Sequence, residues 1–231
     1  MNIIIPVWFY GFDSVMYLIS AMIGFLLSFY FYKIYSLSSE KTHLYLYLGF
    51  LLLSTGLLSL SVADMYSYLN FINCHNACTL GLLDNVFDLE DFAYFVYFGL
   101  SLFAYGLFIL AYIPQGLKLS KNFVLLSMVF LFLIASILLI RAGNVLWYSY
   151  HEYFHITALL MMVFITFRTI VNYSENKGLN SFLVVVSFSF ISLFHLLHLF
   201  SFISGWMYVF AHISMLIGFG SLLFMVLRVK K

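Results

Sequence analysis

Seven apolar runs, separated mostly by short polar turns, make up nearly the whole of this sequence. They cover approximately 13–35, 43–65, 92–113, 122–140, 145–172, 179–202 and 206–228. An α-helix rises about 1.5 Å per residue, so about 20 apolar residues cross the ~30 Å hydrocarbon core of a bilayer. Each run is about that length or longer. The breaks carry turn chemistry: Ser38-Ser39-Glu40-Lys41, Pro114-Gln115-Gly116, Ala142-Gly143-Asn144, Asn176-Lys177-Gly178 and Ser204-Gly205. The two shortest, before the fifth and seventh runs, imply antiparallel neighbours.

Composition points the same way. Only 8% of the 231 residues are charged and 65% are hydrophobic, whereas a soluble domain carries about 25% charged residues. A mean hydropathy of +1.06 exceeds what a core of this size can hide from water. The expected fold is therefore an all-α integral membrane protein, a single seven-helix bundle over residues 1–231 in contact with the lipid bilayer. A formal charge of +1 lacks the basic surplus that nucleic acid requires. Residues 1–10 lack the basic start and cleavage site of a signal peptide, so the first run is expected to be a retained span. No catalytic or DNA-binding domain is expected after the last run.

Basic residues collect on the cytoplasmic side of membrane proteins. With the N-terminus outside and the C-terminus in the cytoplasm, Lys33, Lys41, Lys118, Lys121, Arg168, Lys177, Arg228, Lys230 and Lys231 all fall inside, and only Arg141 falls outside. Asp13, Asp64, Asp84, Asp88, Glu90, Asp91 and Glu152 map to the outer half, leaving Glu40 and Glu175 inside. The plasma membrane is the expected location. The external loop, 66–91, contains Cys74 and Cys78. An outward location permits a disulfide between them; free thiols, or a surface metal site with His75, are alternatives. Aromatic residues, 21% of the chain, suit interfacial belts and helix packing.

Five of the seven histidines lie in the last three runs: His151, His155, His195, His198 and His212. Helix rise places them at roughly 9, 15, 10, 6 and 9 Å below the outer surface, a single layer. His151 and His155 are i,i+4, and His195 and His198 are i,i+3, so each pair shares a face. Ionisable groups at such depth face a bundle interior and need partners. Interhelical hydrogen bonding is the plain explanation for one histidine; five in one layer point to a ligand. Imidazole nitrogens suit zinc, copper, iron or nickel, with Glu152 or Asp64 at similar depth. A b-type haem needs two opposed axial histidines. His155 or His151 facing His198 or His212 would serve, with Arg141 against a propionate. A proton relay is the third use of such a cluster.

Residues 151–155 read His-Glu-Tyr-Phe-His, the H-E-x-x-H spelling in which two histidines bind Zn²⁺ and the Glu activates water. This stretch resembles the zinc helix of site-2-type intramembrane proteases and of ZIP-type zinc transporters. The resemblance implies His151 and His155 as ligands, Glu152 as catalytic base and a third ligand from His195, His198 or His212. No Asp follows Glu152 and the fourth run holds no His, so the partner motifs of both families are missing. Ser61, Asp64 and the histidines are similar in residue type to the sites of ceramidase and adiponectin-receptor-like hydrolases. The stretch Tyr32-Lys33-Ile34-Tyr35-Ser36-Leu37-Ser38-Ser39-Glu40-Lys41 resembles the first inner loop of seven-helix prokaryotic sensor modules. That likeness implies signalling through a separate membrane or cytoplasmic partner.

The expected function is a membrane sensor or redox component holding a transition metal or haem near the external face. A zinc-dependent intramembrane hydrolase is the alternative from another class, and a metal-ion transporter the third. Nothing like the histidine layer recurs in the inner half, where a transport path would need relay sites.

Overall fold

The computed structural model describes residue 9 and residues 11–75, 89–113 and 148–229. Within them the chain forms six α-helices and no strand: α1 (Phe12–Ser38), α2 (Lys41–His75), α3 (Leu89–Tyr112), α4 (Tyr148–Glu175), α5 (Leu179–Leu199) and α6 (Gly205–Val229). All six are long and apolar enough to cross a membrane. The fourth run of the sequence, 122–140, lies outside the described residues, as do Arg141 and Cys78. Both prolines of the chain, Pro6 and Pro114, fall outside these helices, so nothing removes a ladder hydrogen bond within them.

The faces turned away from the bundle are apolar. Phe29 and Leu160 are each 68% exposed and Phe167 is 61% exposed, an arrangement stable in hydrocarbon rather than in water. This is a multi-pass membrane protein. The helix α2 continues past Met65 to His75, so the stretch read as external loop opens as helix. Residues 66–75 contain no Gly or Pro to stop the ladder where the apolar run ends. Cys74 falls in the last turn of this extension.

Each helix packs on its neighbours in chain order, and α6 returns to α1, closing a ring among the described helices. Their directions follow from the contacts. Ser61 Oγ donates to the Ser14 carbonyl at 2.7 Å, while Ser28 Oγ donates to that of Tyr47 at 3.2 Å; α1 and α2 are antiparallel. The turn between them is tight: Ser39 takes a φ of 55° and its N–H donates to the Tyr35 carbonyl at 2.8 Å. Phe98 stacks on Phe154 at 4.1 Å, Tyr94 meets His151 at 6.3 Å, and both pairs join early α3 to early α4. These two helices therefore run the same way. So do α1 and α6, through Asp13–Tyr208 and Tyr17–His212, whereas α2 and α5 run opposite.

One end of the bundle thus gathers the starts of α1, α3, α4 and α6 with the ends of α2 and α5. Deeper along the helices the interior is mainly aromatic and aliphatic, with Ser28, Ser54, Thr169 and Ser187 buried among these side chains. Phe108, Phe188, Phe219, Met162 and Ile165 are all buried there, with Phe50 packed on Phe108 at 4.7 Å between ring centroids.

Candidate metal centre

Helix α4 presents His151 and His155 one turn apart on its inward face, and α5 presents His195 and His198 one turn apart on its own. The antiparallel pairing of α4 with α5 sets these faces against each other. All four rings are buried, at 8%, 2%, 0% and 3% exposure respectively. His151, His155 and His198 each offer one ring nitrogen, and the three atoms lie within 4.8 Å of one another. Among the described residues, this is the one group of three metal-type donors so close together.

The spacing within the group is informative. His151 Nε2 and His155 Nε2 are 3.1 Å apart. Two imidazole nitrogens on one tetrahedral ion, each about 2.0–2.1 Å from it, sit about 3.3 Å apart. The α4 pair, in hydrogen-bond contact at this distance, is therefore also close to ligand spacing. The His198 ring stacks on His155 at 4.6 Å with 8° between planes. Sharing an ion with His155 would require His198 to turn out of this stack.

His195 takes a different place. Its Nδ1 is 2.9 Å from His155 Nδ1, and its Nε2 is 2.8 Å from the Tyr105 hydroxyl on α3. Both nitrogens are thus engaged, one of them by a member of the group of three. Metal-binding histidines are commonly held this way, by a hydrogen bond to the nitrogen that does not face the metal.

His212 on α6 lies on the other side of His198, with ring centroids 5.3 Å apart. Its Nδ1 is 2.9 Å from the Tyr208 carbonyl one turn earlier. The Tyr208 hydroxyl in turn donates to Asp13 Oδ2 at 3.0 Å. Asp13 Oδ1 accepts the backbone N–H groups of Gly11 and Ser14 at 3.1 and 2.9 Å.

Three buried imidazole nitrogens have no hydrogen-bond partner among the described residues: both of His198 and Nε2 of His212. A buried polar group left this way costs about 1–3 kcal/mol, and native interiors rarely tolerate it without a ligand or water. The nitrogens belong to the same cluster whose other members already converge. That is the test a metal-binding reading must meet, and these residues meet it.

No protein-family model matches the chain, and no curated protein or solved structure matches it either. The site has to be read from its own chemistry.

Of the remaining candidate residues, Glu152 is half-buried beside His151 but is not a member of the donor group. Ser61 is engaged with the Ser14 carbonyl, and Asp64 is buried at the same end of the bundle. Arg141 and Cys78 lie outside the described residues, as does the side chain of Cys74. Tyr105 and Tyr208 were not singled out in the sequence, where they are two among 18 tyrosines. For Tyr208 a signal existed: it stands four residues before His212, one helical turn away. For Tyr105, on a helix with no histidine, there was none.

Proposed function

We propose that this chain is a plasma-membrane protein that holds a transition-metal ion at His151, His155 and His198 near the external face, acting as a sensor or redox component. One observation carries this reading: three buried imidazoles converge from two helices, with the α4 pair close to ligand spacing. A nitrogen-only donor set suits copper, zinc or iron.

The rings of His155 and His198 lie face to face at 4.6 Å, so a b-type haem would require them to part and turn toward each other, and a shared ion would require His198 to leave the stack. In this reading His155 turns its Nε2 lone pair to the ion and carries its proton on Nδ1. That proton is donated to His195 Nδ1, and the His195 Nε2–H is donated to the Tyr105 oxygen. The pair Tyr105–His195 thereby selects the tautomer and orientation of His155. A bound ion would supply either a redox couple or a ligand-responsive charge, with a separate membrane or cytoplasmic partner to receive the signal or electron.

Among the described residues no second group of metal-type donors lies beneath Tyr105, which weighs against carriage of an ion through the bundle. Topology supports an outward-facing site. Because α3 and α4 run the same way, the chain joins opposite ends of the bundle between Ile113 and Tyr148. This supports a further span there and seven in all. Lys33, Lys41, Arg168, Lys177 and Arg228 lie toward the end opposite the histidines, which supports a cytoplasmic placement for that end.

A zinc-dependent intramembrane hydrolase is the second reading, favoured by Glu152 standing next to the His151–His155 pair. Metal analysis and an absorption spectrum of the purified protein test the first reading. Copper, zinc or iron at about one or more ions per chain, with no Soret band, is the expected result. A haem spectrum, or no metal above background, removes it. Glu152→Gln then separates the two readings. The substitution should leave metal content unchanged in both. In a hydrolase it also removes general-base catalysis, worth typically about 10²–10⁴-fold. Cleavage of lipid amides, esters or membrane peptides by the unmodified protein alone would establish the hydrolase and displace the sensor or redox reading.

A further inference from the structure

We infer a second metal position between His198 and His212, with the His198 ring bridging the two positions. The inference rests on the first position, at His151, His155 and His198, being a metal site.

The ring nitrogens of His198 lie on different edges of the imidazole and point in diverging directions. A single ion takes one of them. The other remains in a fully buried setting, and neither has a hydrogen-bond partner among the described residues. His212 offers what that second nitrogen lacks. The Tyr208 carbonyl, 2.9 Å from His212 Nδ1, can only accept a hydrogen bond, so the proton of a neutral His212 sits on Nδ1. Its Nε2 then presents a lone pair, buried and without a partner. A backbone carbonyl on one nitrogen and an open lone pair on the other is the usual arrangement of a metal-binding histidine.

His212 does not belong to the compact group of three donors. Its ring centroid is instead 5.3 Å from that of His198, with the planes inclined at 62°. Two imidazoles sharing one ion place their centroids about 5 Å apart. The charge of a second cation is met by Asp13, 4% exposed. Asp13 is tied through the Tyr208 hydroxyl to the ring that packs 4.4 Å from His212. Binding the second ion displaces the last ring proton of His198, which leaves to water; no electron moves. Water or a small anion completes the coordination. The nitrogen donors select a borderline divalent ion such as copper(II) or zinc(II).

The test is to load the full chain in detergent with copper(II), count the metal by elemental analysis and record its EPR spectrum. The expected result is two coppers per chain, with most of the spin intensity lost to coupling through the shared ring. His212→Ala and His212→Gln should each retain one copper and show the full signal of an isolated spin. One copper in the unmodified protein and in both variants would overturn the bridge while leaving the first position intact. One copper in the unmodified protein and none in the variants would make His212 a ligand of a single centre, which also overturns it. No copper in the unmodified protein, together with no bound zinc or iron, would remove both readings. Should both variants fail to fold, the coupled or uncoupled spectrum of the unmodified protein decides alone.

Discussion

His155 is the residue on which the proposed centre turns. It is the one histidine in nitrogen–nitrogen contact with a histidine on each side, His151 at 3.1 Å and His195 at 2.9 Å. Replacing it by Ala removes a donor and leaves His195 Nδ1 without its partner. Metal occupancy should fall to background in His155→Ala, measured by elemental analysis, while His43→Ala should retain it. His43 sits at the opposite end of the bundle, 3.0 Å from the Ser38 hydroxyl, and serves as the control for general loss of structure. Tyr105→Phe tests the outer layer. It removes the oxygen that holds His195 without touching a donor; losing a ligand's direct partner typically weakens metal binding by about 10–100-fold, and Tyr105 stands one contact further out. A competition titration with a chelator should show a loss of up to about 10-fold. An unchanged affinity would assign Tyr105 to packing alone.

Helices α4 and α5 do at their own scale what no single residue can. Spacing of four on one and three on the other puts each histidine pair on a single face, and the antiparallel crossing makes the faces meet. Close approach of α5 to α6 then brings His212 within reach of His198. Gly218 permits that approach. A Cβ added there would meet Ile191 Cγ1 at 2.8 Å and the Ser187 carbonyl oxygen at 3.0 Å. The Ser187 hydroxyl already donates to the Gly218 carbonyl at 2.7 Å. Small residues at such crossings are how membrane helices approach closely. Gly218→Val should destabilise the folded protein by about 1–3 kcal/mol, the usual cost of overpacking, read from thermal unfolding in detergent. Gly220→Val is the matched control, because nothing lies within 4 Å of a Cβ there.

For the whole molecule, the direction of the helices decides which side of the membrane the centre faces. The turn between α5 and α6 lies at the histidine end, and the turn between α1 and α2 at the other. With Cys74 and Cys78 replaced by Ala, a cysteine at Ser204 should react with a membrane-impermeant maleimide on intact cells. A cysteine at Ser39 should react only after permeabilisation. The reverse pattern would place the centre on the cytoplasmic side and exchange an external signal for an internal one.

How much of this was legible beforehand depends on the range of the forces involved. Long apolar runs and scarce charge determine a helical membrane protein by themselves, because lipid forces each segment to satisfy its own backbone hydrogen bonds. Helical rise likewise places the five histidines of the last three runs in one layer, since depth is a property of a single helix. Which histidines converge is a different matter. It depends on the rotation of each helix about its axis and on how closely it approaches its neighbour, and both are set by residues that meet across helices, such as Gly218, Phe154 and Phe194. Only the tertiary structure separates His151, His155 and His198 from His195, which is hydrogen-bonded to Tyr105, and from His212, which is anchored on the Tyr208 carbonyl. The extension of α2 to His75 belongs to the same class. Hydropathy marks where lipid ends, but a helix without a breaker continues for as long as its ladder is unopposed.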